Sequence, residues 1–189
     1  MSMCARCRRR SFRLKPEATA VDRSRSGGAY EGALRDIIHA FKYDGRRSLA
    51  VPLAAIMRTA GAGLLRDADV IVPVPLHVTR RLRRGFNQAS DLARRLDRPV
   101  VHALWRVRAT SPQAGLTAAR RRRNVRRAFR LSPLLTRRMR SRLIDDRIVV
   151  LVDDVSTTGA TLDACARVLK EAGAREVRAL TAARALTQT

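Results

Sequence analysis

Val149-Val150-Leu151-Val152-Asp153-Asp154-Val155-Ser156-Thr157-Thr158-Gly159-Ala160-Thr161 passes from an apolar segment through two carboxylates and a hydroxyl-rich turn. Ile148 to Val152 is the clearest strand pattern in the chain, a short continuous apolar run of the kind buried on both faces of a parallel sheet. Thr161 to Ala172 has helical character and is closed by Gly173, and Val177 to Leu180 supplies a further apolar strand. Strand, helix and strand in that order predict a parallel crossover of right-handed sense. The fold class is therefore α/β.

Working outward, Asp69 introduces Val70-Ile71-Val72-Pro73-Val74-Pro75, a second buried parallel strand whose prolines stop further pairing. Residues 87 to 96 read as a helix, and Val100 to Trp105 as a short strand. Leu34, Ile37, Ile38 and Phe41 fall at helical spacing with Gly45 just beyond, and a second helix is expected from about Ser48 to Leu65. From Arg106 to Arg142 arginine is dense and pattern weak, which predicts a long loop. Residues 1–29 are basic and poor in large apolar side chains, and read as a tail preceding a domain over 30–189.

At 189 residues the chain suits one domain, able to bury roughly 70% of its unfolded surface without disulfide or metal support. Aromatics make up only 4%, so the core must be aliphatic, which favours layered α/β architecture over an aromatic-rich barrel. The 40 basic residues outnumber 16 acidic ones for a net charge of +24. Lysine occurs only at Lys15, Lys42 and Lys170, so the excess is arginine, whose planar fork suits phosphate. A polyanionic partner fits this charge; so does a general use of arginine as the surface cation. No apolar stretch approaches the roughly 18 residues needed to span a membrane, the basic N-terminus lacks the apolar core of a signal peptide, and a cytoplasmic protein is expected.

The chemistry sits at the end of the first strand quoted. Open α/β sheets bind ligands at the carboxyl ends of their strands, where Asp153 and Asp154 stand. Gly159 allows close backbone approach, and the free amides and dipole of the following helix favour an anion. Thr157, Thr158 and Thr161, with the amides around Gly159, suit a monophosphate, while the two aspartates suit vicinal ribose hydroxyls and a magnesium ion brought with the ligand. A plainer alternative has Ser156 to Thr158 merely capping the helix. It must also account for two carboxylates, a glycine and three threonines at one strand end.

These thirteen residues resemble the phosphoribosyl pyrophosphate (PRPP) signature of type I phosphoribosyltransferases. The rest is similar to the ComF branch of that superfamily, which includes the GntX-like proteins. The branch likeness is carried by Phe41-Lys42-Tyr43-Asp44-Gly45-Arg46, Ile71-Val72-Pro73-Val74-Pro75-Leu76-His77 and Arg84-Gly85-Phe86-Asn87-Gln88-Ala89. A spaced set joins them: Arg108, Thr110, Gln113, Leu116, Arg121, Asn124, Ala128 and Phe129. Arg-Gly-Phe-Asn-Gln is the feature most particular to ComF, and the likeness covers roughly Tyr30 to Arg184.

The resemblance implies a mainly parallel central sheet flanked by helices, with a small N-terminal hood or tail. It implies ribose contacts at Asp153 and Asp154, and a 5-phosphate held by Val155, Ser156, Thr157, Thr158, Gly159, Ala160 and Thr161. Pyrophosphate would lie at Pro75, Leu76 and His77, met by Arg80, Arg81 and Arg84. A flexible loop carrying Arg108, Gln113, Arg121 and Asn124 would close over it. The implied reaction displaces pyrophosphate from the anomeric carbon with magnesium as cofactor. Some members carry an acidic base where this chain has Thr157, so base catalysis from that position is not expected.

Cys4-x-x-Cys7 matches half of the zinc module that commonly opens ComF proteins, but the second pair is missing, and a complete zinc site within this chain is not expected. Cys165 reads as a small buried hydrophobe. Arg120 to Arg123 and Arg137 to Arg142 suit nucleic-acid phosphates or a solvated loop. ComF proteins are associated with DNA uptake, so the resemblance also implies single-stranded DNA and competence-machinery proteins as partners. Three readings stay open: a phosphoribosyltransferase of unidentified acceptor, a non-catalytic module recognising PRPP or ribose 5-phosphate in support of DNA uptake, and a basic nucleic-acid-binding domain with a vestigial site.

Overall fold

The computed structural model describes residues 19–77, 79, 82, 85–108 and 128–185. Among these residues the architecture is built on a four-stranded parallel sheet. Its strands are β1 (Arg23–Ser26), β2 (Val70–Pro73), β5 (Ile148–Ser156) and β6 (Glu176–Arg184), in the order β1-β6-β5-β2. β5 is paired on both sides, so its apolar run needs no alternation. Val149 and Leu151 face one core layer while Val150 and Val152 face the other.

Three helices cover the second layer. α1 (Gly32–Tyr43) buries Ile38 and Phe41, α2 (Ala50–Leu65) buries Leu53, Met57 and Leu64, and α3 (Gln88–Ala93) buries Leu92. The opposite layer is closed by α5 (Ala160–Glu171), through Leu162, Cys165 and Leu169, and by an antiparallel ribbon of β3 (Leu104–Arg106) and β4 (Phe129–Leu131). Gly173, at φ 101°, ends α5 in the left-handed region that favours glycine. Arg178 of β6 is fully buried, donating to Leu64 O at 2.7 Å and pairing with Asp67 and Glu176, and so ties the sheet to the end of α2.

Several expectations change. Part of the expected tail is sheet: β1 pairs with β6, Val21 is buried, and the Ala20 amide donates to Asp163 at 2.7 Å. An edge strand this short and polar carries no apolar pattern from which it could be read. The Val100–Trp105 strand divides into a bridge between Val100 and Ile71 and the separate β3. The Arg106–Arg142 stretch contains β4 and most of α4 (Arg137–Leu143). α4 buries none of its residues, so no hydrophobic period marks it; its start is set by Thr136, which accepts from the Met139 amide at 3.2 Å. The helix expected over 87–96 is confined to Gln88–Ala93.

The 19 residues Arg47–Leu65, with mean hydropathy 1.5, are long and apolar enough to cross a membrane by composition alone, contrary to the expectation that no such stretch exists. In the fold they pack on β1, β6 and α3 as a core helix with its 3-10 lead-in.

Candidate functional site

β5 runs four residues beyond its expected end, so Asp153 and Asp154 belong to the strand itself. Strand alternation sends neighbouring side chains to opposite faces, and the two carboxylates meet different surroundings. Asp154 is buried and faces α1, where Lys42 Nζ lies 3.1 Å from its Oδ1. Asp153, half-buried, feels the charge of Arg106 on β3 and in turn bears on the Cys165 thiol of α5. Its Oδ1 accepts from the Asp154 amide at 2.9 Å. Burial pushes the Asp153 carboxyl up to about 7, helped by the neighbouring Asp154 charge and opposed by that amide, Lys42 and Arg106.

The strand then turns into α5. Val155 packs against the second core layer, and Ser156 is buried with its Oγ lacking a hydrogen-bond partner among the described residues. Thr157 and Thr158 are exposed, and Thr158 Oγ1 accepts from the Ala160 amide at 3.4 Å. Gly159 caps the helix at φ 76°, a left-handed conformation that a side chain would strain. Thr161, in the first turn, is half-buried. Exposed hydroxyls and a helix N-terminus are thus presented at the carboxyl edge of the sheet.

β2 pairs with β5 in register, Pro73 opposite Val152, so the chain leaving β2 sets out beside the acidic end of β5. The Val74 amide donates to Val152 O at 2.9 Å, and Asn87 Nδ2 donates to Val74 O at 3.2 Å. Pro75, Leu76 and His77 follow, all half-buried, with His77 Nδ1 2.9 Å from Thr79 Oγ1. Pro75 and Leu76 border a cavity of about 610 Å³, which is also lined by Asn87, Asp91, Trp105 and Met139. Arg80, Arg81 and Arg84 lie outside the described residues.

Two of the quoted motifs meet in space. Phe41 and Phe86 rings lie 5.5 Å apart, Arg47 sits 5.2 Å from the Phe86 ring, and its guanidinium holds buried Asp91 at 2.8 and 3.0 Å. Phe86 and Asn87 therefore stabilise the turn after β2 and its contact with α1. Lys42, Arg47 and Arg106 were missed as site residues. Lys42 had a signal, since it lies within a quoted motif and is one of three lysines. Arg106 had none.

Arg108 is exposed and borders a cleft of about 470 Å³ with Arg130 and Arg167, between α5 and the β3–β4 ribbon. Gln113, Arg121 and Asn124 lie outside the described residues, as do Cys4 and Cys7. Cys165 is free and buried, and desolvation pushes its thiol up, as fits an inert core residue. No cluster of three or more metal-ligating side chains occurs among the described residues. Asp153 and Asp154 face opposite sides of β5, so the strand end fits magnesium only through one carboxylate at a time, the ion taking its remaining oxygens from ligand phosphates.

A parallel sheet carrying an acidic pair and a helix-capping hydroxyl turn beside a second strand-end turn defines the phosphoribosyltransferase architecture. The chain belongs to the phosphoribosyl transferase domain family, whose model matches residues 53–189, and within it to the ComF-like branch. It is similar to the "DNA utilization protein YhgH" of Escherichia coli K12, 35% identical over 93% of this chain and 74% of that protein. "Competence protein F" of Haemophilus influenzae is 36% identical over 84% of this chain and 71% of its own. "Competence protein ComFC" of Bacillus subtilis is 27% identical over 91% and 68%.

Proposed function

We propose that the chain binds PRPP with magnesium and transfers the phosphoribosyl group to an acceptor, releasing pyrophosphate. The observation that carries this reading is the strand-end assembly of Asp153, Asp154, exposed Thr157 and Thr158, and left-handed Gly159, set beside the Pro75–His77 turn. Asp153 and Asp154 accept hydrogen bonds from the ribose hydroxyls. The threonines and the α5 N-terminus hold the 5-phosphate. The Pro75–His77 turn receives the pyrophosphate, with Arg80, Arg81 and Arg84 as its counter-charges. Magnesium, when bound near Asp153 and Asp154, neutralises charge on the departing diphosphate.

In the reaction, a lone pair of the acceptor forms the new bond to the anomeric carbon while the carbon–oxygen bond to pyrophosphate breaks, and the acceptor proton passes to solvent. Thr157 has no basic group with which to take that proton, so stabilisation of the leaving group supplies most of the rate. The same threonine, with the Lys42 contact to Asp154, favours a second reading: a protein that recognises PRPP or ribose 5-phosphate without turnover. On either reading the names of the relatives, a DNA utilization protein and a competence protein, support a role in DNA use or competence; single-stranded DNA and competence-machinery proteins as partners, and a cytoplasmic location, are part of the same proposal.

The test is calorimetric titration of PRPP, with and without magnesium, into the full chain and into Asp153→Asn/Asp154→Asn. Magnesium-enhanced binding that the double variant loses is expected; no binding by folded wild type overturns both readings. Pyrophosphate release across an acceptor panel then separates the transferase from the recognition module.

A further inference from the structure

The β3–β4 ribbon is packed on one face only. Leu104, Arg106 and Phe129 turn inward and are buried, with the Arg106 guanidinium 5.3 Å from the Phe129 ring. Strand alternation then turns Trp105 and Arg130 outward, and the antiparallel register sets them directly opposite each other. Such a pair has its Cβ atoms about 5 Å apart, close enough for indole and guanidinium to share one surface. Trp105, the one tryptophan of the chain, stays 43% exposed although the core is short of aromatics. The packed inner face holds it there. On one side of the ribbon Trp105 borders the cavity of about 610 Å³, whose charged lining is Arg47, Arg94 and Arg106 against Asp91. On the other, Arg130 borders the cleft of about 470 Å³, lined by Arg108, Arg130 and Arg167 against Glu171. Arg167 pairs with Asp163 at 3.0 Å, but Arg108 and Arg130 are exposed and carry no ion pair among the described residues.

We propose that the outward face of the β3–β4 ribbon is a docking surface for single-stranded nucleic acid, with one unpaired base stacked on Trp105 and neighbouring phosphates held by Arg130 and Arg108. Charge complementarity selects a polyanion: the two concavities carry six arginines against two carboxylates, on a chain of net charge +24. The indole then selects among polyanions. A polyphosphate or an anionic membrane offers it no flat group, whereas every base has a π-face to stack on. In a duplex those faces are already covered by neighbouring bases, so the partner is a single strand. Exposed Leu134 and Met139 line the cavity beside Trp105 and offer apolar contact to a base or sugar. The same net charge makes a second copy of this chain a poor occupant of the face. The nucleic-acid partner of the proposed function thereby gains a place on the molecule. Neither PRPP binding nor turnover is needed for it.

The probe is a thymidine oligonucleotide of about 15 nucleotides, titrated into the full chain. Because Trp105 is the sole tryptophan, its fluorescence reports directly on this face. The oligonucleotide is expected to quench it; inorganic polyphosphate and a duplex of the same length are not. Trp105→Ala is expected to weaken binding of a labelled strand, read by anisotropy, on the order of tenfold, and Trp105→Phe to restore most of it. Arg130→Gln should lower affinity and reduce the slope of log affinity against log salt by about one. Binding without quenching, or Trp105→Ala binding as wild type does, would overturn the proposal and place the strand elsewhere on the chain. Equal quenching by polyphosphate or duplex would overturn the stacked base. Fluorescence that changes with protein concentration alone would assign the face to a second copy instead. Should Trp105→Ala melt well below wild type, Trp105→Phe and the wild-type quenching decide. If wild type binds no oligonucleotide, this proposal falls together with the nucleic-acid part of the proposed function, while the PRPP titration still decides the rest.

Discussion

Asp153→Asn is expected to make the protein more stable in mild alkali and to remove a pH dependence that wild type shows. Burial and the Asp154 charge raise this carboxyl from an ordinary 3.8 to about 7 in the folded chain. A carboxyl whose folded value lies above its unfolded one contributes stability that is fully present below the unfolded value and lost as pH rises through the folded one. The window here is thus about pH 4 to 7. Across it the linkage gives a loss on the order of 2–3 kcal/mol between about pH 5 and about pH 8. That is a sizeable share of a typical domain stability of about 5–15 kcal/mol.

Asparagine keeps the shape and can still accept from the Asp154 amide, but it carries no charge to desolvate. Urea unfolding at the two pH values measures the effect. With a slope of about 2 kcal/mol per molar, wild type should lose about 1 M in midpoint relative to Asp153→Asn on going from the acid to the alkaline condition. Equal pH dependence in the two proteins would refute the reasoning, because the carboxyl would then titrate alike folded and unfolded. The variant should also lose magnesium-dependent PRPP binding, as expected where a functional site holds a destabilising charge.

Arg47→Ala removes the bidentate partner of buried Asp91, leaving Arg94 at 3.3 Å, so a lower midpoint in urea unfolding is expected. Arg47→Lys should recover only part of it, since an ammonium cannot reproduce the fork, and full rescue by lysine would count against the bidentate account. Gly159→Ala forces a side chain into the left-handed region and should cost about 1–2 kcal/mol by thermal or urea unfolding. Ribose 5-phosphate affinity, measured calorimetrically, should fall with it; unchanged affinity would place the phosphate elsewhere.

The strand, the acidic pair, the hydroxyl turn and the helix start follow one another within thirteen residues, and each depends on local physics. An unbroken apolar run is a strand buried on both faces, and a glycine among hydroxyls opens a helix whose amides are free. That much was legible from Val149 to Thr161 with no knowledge of the rest of the chain. The sequence alone left open which face each carboxylate would take, and what would meet it. Lys42 reaches Asp154 and Arg47 reaches Asp91 only because α1 and α3 pack on the same side of the sheet. The β1 strand and α4 were hidden for a related reason: one is a short polar edge held by β6, the other a mostly exposed helix with no fully buried residue. Hydrophobic periodicity records only what a segment buries, whereas ion pairs between distant segments, and edges recruited by a neighbour, are decided when the layers close.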